Sequence, residues 1–143
     1  MTLFILDTDT LPLHQRSHPT VCEQMDLHDP DDLAISVITV EEQLSGWYTM
    51  LRKAKSPSTL ARAYLRLTEC VESLSDLRVL TFDEDCIARF TELRALGLSI
   101  QAMDLRIAAT VLQFDGTLVT RNTRDFAQVP GLRFVDWSIA AKT

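Results

Sequence analysis

From end to end of this chain, short apolar runs alternate with longer amphipathic stretches, and few folds accommodate that pattern. The runs at residues 3–6, 33–40, 77–82, 117–120 and 132–135 read as strands. The second is rich in β-branched residues and too short for a buried helix, which suits a buried strand. Helical patterns fill residues 40–55, 57–75, 83–96 and 104–114, with Gly97 and Gly116 placed where helices would stop. Strands that alternate with helices form βαβ units, so the expected class is α/β, with a mostly parallel sheet buried between helices. The least periodic part, residues 14–30, carries three histidines and two prolines and reads as a partly helical connection. No linker or repeat divides the chain, so residues 1–143 are expected to form one domain.

Composition narrows the class further. A chain of 143 residues with 46% apolar and 24% charged residues can bury a core without staples. Cys22, Cys70 and Cys86 are odd in number and lack C-x-x-C spacing, which argues against a disulfide framework or a zinc site. No signal peptide is recognised, and no apolar stretch approaches the roughly 20 residues of a membrane span. A reducing cytoplasm is therefore expected. The net charge of −6 is unhelpful for a nucleic-acid partner, but it is unevenly spread. Residues 43–68 contain no acid and carry Arg52, Lys53, Lys55, Arg62 and Arg66. That cluster is either a solvated helix face or a surface for phosphates or a partner.

In open α/β sheets, sites form beyond the carboxyl ends of the strands. Asp7 follows the first strand, Glu42 lies in the first turn after the second, Asp125 lies beyond the fourth, and Asp104 starts the helix leading into it. Converging carboxylates repel unless protonated or bridged by cations. Hard oxygen donors without paired histidines suit Mg²⁺ or Mn²⁺ rather than zinc. Structural duties compete for the same residues. Thr39 and Glu42 have capping-box spacing, Asp104 could be a helix N-cap, and Asp125 could be a turn residue. Asp7 has no such duty, and Asp9 two residues on adds to its case.

Three segments carry a resemblance. They are Phe4-Ile5-Leu6-Asp7-Thr8-Asp9; Ile35-Ser36-Val37-Ile38-Thr39-Val40-Glu41-Glu42 with Gly46; and Asp104-Leu105-Arg106-Ile107-Ala108-Ala109 continued by Leu118-Val119-Thr120-Arg121-Asn122-Thr123-Arg124-Asp125-Phe126. In order and spacing these resemble the PIN-domain family, and within it the VapC-type toxins of toxin–antitoxin pairs. The resemblance implies a three-layer α/β/α fold and a Mg²⁺- or Mn²⁺-dependent endoribonuclease. It makes Asp7, Glu42, Asp104 and Asp125 the catalytic, metal-ligating set, and so favours that role over capping for Glu42 and Asp104. Asp9 stands where the family commonly has Asn, and becomes an extra acid or a loop-ordering residue. Asn122 and Asp125 are both present where family members differ in which supports the metal; Asp125 is ranked first, with Thr120 as its hydrogen-bonding neighbour. Arg106, Arg121 and Arg124 flank the acids as candidate RNA contacts. The resemblance also implies a small antitoxin partner and a homodimer. Two alternatives are a haloacid-dehalogenase-like phosphatase, which Asp7-Thr8-Asp9-Thr10 approaches before Leu11 breaks the pattern, and a non-catalytic binding module. His14, His18 and His28 read as surface residues rather than proton shuttles.

Overall fold

A computed structural model describes residues 2–140. Five parallel strands form one sheet: β1 (Phe4–Leu6), β2 (Leu33–Ser36), β3 (Arg78–Leu80), β4 (Thr117–Val119) and β5 (Arg133–Val135), in the order β3-β2-β1-β4-β5. Ile5 pairs with Ala34 on one side and Leu118 on the other, and Leu6 with Ile35 and Val119. Because side chains alternate across a strand, these two rows enter different cores. Ile5, Ala34 and Leu118 join Phe90, Leu93, Leu105, Ala108 and Phe126. Leu6, Ile35 and Val119 join Leu11, Val21, Cys70, Leu74 and Trp137. Helices therefore cover both faces, as a three-layer α/β/α fold requires.

The helices are α1 (Leu11–Gln15), α2 (Pro19–Asp26), α3 (Val37–Lys53), α4 (Pro57–Ser75), α5 (Glu84–Arg94), α6 (Ala102–Gln113) and α7 (Thr123–Phe126). The connection at residues 14–30 is indeed largely helical, supplied by α1 and α2 and followed by a 3-10 turn at Pro30–Asp32. From β1 the chain winds outward to β2 and β3, then returns to the opposite side of β1 for β4 and β5. The winding reverses between β1 and β4, and the carboxyl ends of those strands bound the crevice where α/β proteins place their sites.

Three local expectations are corrected. The second strand stops at Ser36 rather than residue 40, because the Ser36 hydroxyl accepts the Ile38 N–H at 3.0 Å and starts α3 there. Thr39 is consequently no N-cap, and Glu42 lies in the second turn rather than at N3. The N-cap of α6 is Gln101, which makes no side-chain cap, so Asp104 is an acid inside the first turn. Gly116 does follow a helix, but the left-handed residue there is Asp115, at φ 52°. Glycine is required at 116 by close approach: a Cβ would stand 2.9 Å from Ile5 Cδ1 and 3.0 Å from the Leu3 carbonyl oxygen. The three cysteines are free, and among the described residues no helix is long and apolar enough to cross a membrane.

Candidate active site

Asp7 leaves β1 with its N–H donating to the Val119 carbonyl at 2.8 Å, which ties it to the end of β4. Its side chain is 3% exposed and both oxygens are engaged. One accepts the Thr8 N–H at 2.8 Å and the other the Thr120 hydroxyl at 2.8 Å. Burial, and then the charge of Asp9, push this carboxyl from 3.8 up to about 7; the two hydrogen bonds pull down, and Asp104 adds a smaller upward push. A buried carboxylate facing other acids favours a proton or a cation beside it.

Thr120 is fully buried and serves both loops: its hydroxyl donates to Asp7 and accepts the Asn122 N–H at 3.0 Å. Asn122 then donates through Nδ2 to Asp125 at 3.0 Å. The two residues that competed for one role are thus a bonded pair, with Asn122 orienting the Asp125 carboxylate. Asp9 accepts the Thr10 hydroxyl at 3.0 Å and the Arg121 N–H at 3.1 Å, so it ties the loop after β1 to the loop after β4.

Glu42 projects from α3 and accepts the Thr8 hydroxyl at 2.8 Å; the buried Thr39 hydroxyl lies 3.1 Å from the same Thr8 oxygen. Thr8 therefore links the Asp7 loop to α3, a role no sequence argument assigned. Its one signal was its place between two acids at a strand end. Asp104 is half-buried, and its carboxyl is raised by burial first and then by Glu42, Asp125 and Asp9. Asp104 thus feels the charge of acids from three other segments.

The donor set fits a hard divalent cation in kind, since it is carboxylate oxygen oriented by hydroxyls and an amide. Among the described residues, no three His, Cys, Asp or Glu side chains are gathered into a ready metal cage. Asp9, Glu42 and Asp125 are instead each drawn to a local donor.

The arginines divide. Arg121 and Arg124 are exposed. Arg106 lies 5.2 Å above the Phe90 ring, which Arg94 also covers at 5.6 Å, so its guanidinium is engaged in packing. The histidines stand apart from the acids in their contacts. His18 caps α2, and His28 stacks on Trp137 at 5.1 Å.

A family model described as PIN domain matches residues 5–132. Toxin FitB of Neisseria gonorrhoeae is 30% identical over 94% of this chain and 99% of its own length. Ribonuclease VapC2 of Rickettsia felis is 28% identical over 94% of this chain and 98% of its own. The crystal structure of VapBC2 from Rickettsia felis bound to a promoter DNA fragment superposes with a TM-score of 0.77 at 26% identity, covering 95% of this chain and 99% of that one.

Proposed function

The chain belongs to the PIN domain family, and from that premise we propose that it is a divalent-metal-dependent endoribonuclease, the toxin of a type II toxin–antitoxin pair. The observation that carries the proposal is Asp7. It is a nearly buried carboxylate at the point where the sheet reverses its winding, pushed up to about 7 by burial and neighbouring acids. Such a group is costly to hold in its charged form unless a cation is part of its working environment.

Asp7, Glu42 and Asp104 would hold Mg²⁺ or Mn²⁺, with Asp125 completing the set. When bound, such an ion supplies an activated water and neutralises charge on the scissile phosphate. The chain's own residues prepare the geometry. Thr120 and the Thr8 N–H fix both oxygens of Asp7, and the Thr8 hydroxyl turns Glu42 toward the same loop. Asn122 orients Asp125, while Asp9 holds the two loops together. Burial of Asp7 and Thr120 keeps bulk water from competing for these bonds. Arg121 and Arg124, both exposed beside the acids, are placed to meet the RNA backbone.

A relative named as a toxin and another named as a ribonuclease support this reading. So does a neighbour solved as VapBC2 on promoter DNA. The corresponding partner here is a small antitoxin protein, and the working state a homodimer in the cytoplasm. Incubating the purified chain with total RNA and Mg²⁺ tests the activity. Cleavage should stop in EDTA and in Asp7→Asn; an Asp7→Asn protein that cleaves at the wild-type rate sinks the site assignment. Growth arrest on expression, relieved by a neighbouring small gene, tests the toxin role.

A further inference from the structure

The acid-free span at residues 43–68 forms most of α3 and α4, which pack together around a short connection. Between them runs an open groove of about 600 Å³. It is lined by Trp47, Met50 and Ala63 together with Lys53, Lys55 and Arg62. A second hollow of about 610 Å³ adjoins it: Trp47 and Arg66 line both, and Thr8 and Glu42 of the candidate active site line the second. Arg16 lines this second hollow as well. Arg66 is paired with Glu69 at 3.0 Å, whereas Lys53, Lys55 and Arg62 form no ion pair among the described residues.

Gly46 adds an independent observation. It lies inside α3, where glycine is unfavourable relative to alanine, yet a Cβ there would meet nothing within 4 Å. Packing does not require it. Its bareness keeps the second hollow open beside Trp47.

We propose that these two adjoining hollows form the track along which a single-stranded RNA segment reaches the carboxylates, with phosphates on Lys53, Lys55, Arg62 and Arg16 and one base on the ring of Trp47. The proposal rests on the nuclease reading above. Two features select RNA as the occupant. The cations match a polyanion in a chain that is otherwise strongly acidic. The second hollow is also lined by Glu42, where a substrate of the acids has to arrive. An aromatic ring between cations is the usual platform for an unpaired base, and it tolerates any sequence.

The test measures anisotropy of a fluorescein-labelled 2′-O-methyl oligouridine, in EDTA, across a salt series. Replacing Lys53, Lys55 and Arg62 together by Ala should lower affinity on the order of tenfold or more and reduce the salt slope by about 2. Trp47→Leu should lower affinity on the order of tenfold at every salt concentration with the slope unchanged, and Trp47→Phe should restore it. Gly46→Leu should keep or raise the melting temperature while weakening binding, a combination that a folding defect does not produce. On cleavable RNA the same variants should raise KM and leave kcat unchanged. Absence of binding by the wild type, or unchanged affinity and slope in the triple and Gly46→Leu variants, overturns the track. In the latter case, with wild-type cleavage intact, the groove is left to an acidic peptide. A wild type that binds through these residues but cleaves no RNA leaves the track standing and sinks the nuclease reading.

Discussion

At the carboxyl ends of β1 and β4, acids sit in one another's fields and most are held by a named donor; along the α3–α4 groove, cations stand on exposed positions of the helices and their connection with little holding them. The first region places charge where the fold resists it, and such charge is sensitive to any change in its neighbours. The second places charge where water screens it, so it shapes encounters at small cost to the fold. A difference of this kind predicts that substitutions at the sheet edge alter chemistry and stability together, while substitutions along the groove alter affinity alone.

The largest expected effect is that of Asp7→Asn. Cleavage should fall by more than the roughly 10–100-fold typical of losing a residue that only orients a metal ligand. In EDTA the same variant should be more stable than the wild type. The folded-state value of about 7 lies above 3.8, so the folded carboxyl holds its proton more tightly than the unfolded one. Metal-free wild type therefore loses stability as pH rises from 3.8 to about 7, by on the order of 4 kcal/mol. Below that window the two proteins should melt alike, and above it Asp7→Asn should melt higher. Equal melting at both ends would break the contrast between the two regions.

Thr120→Val comes next. It removes the donor to Asp7 and the acceptor of the Asn122 N–H, both buried, and should cost about 1–3 kcal/mol by denaturant melting. Mg²⁺ affinity by calorimetry should weaken by about 10–100-fold. Thr8→Val frees Glu42 while changing little volume, so cleavage should drop by about tenfold with a stability loss near 1 kcal/mol. Ser36→Ala removes the true cap of α3 and should cost about 1 kcal/mol. The smallest effect belongs to the groove: Lys53, Lys55 and Arg62 replaced together by Ala should shift stability by no more than about 0.5 kcal/mol each. A large loss there would mean those cations hold the fold after all.

The phosphatase alternative arose because Asp7-Thr8-Asp9 follows a strand in both families, and the family match across residues 5–132 separates them. Strand and helix order was legible because apolar periodicity is local. The boundary at Ser36 was not, because Val37, Ile38 and Thr39 favour strands and only the serine's bond to the Ile38 N–H turns them into a helix. As a candidate, Asp7 was legible from its strand-end position. Glu42 and Asp104 became candidates only through resemblance, since spacing alone allowed them as caps. Thr8 was missed because its bond to Glu42 spans 34 residues.

Periodicity along the chain was enough to give the α/β class, the order and approximate places of the five strands, and the acids that follow the first, second and fourth of them. Only packing set the rest: that Thr120 and Thr8 hold Asp7 and Glu42, that Arg106 lies over Phe90, and that part of an acid-free stretch lines a hollow beside Glu42. Those outcomes depend on which distant side chains share a low-dielectric crevice, and that is set by how the sheet and helices pack. Asp7 belongs to both accounts, placed by its strand and given its unusual proton affinity by everything packed around it.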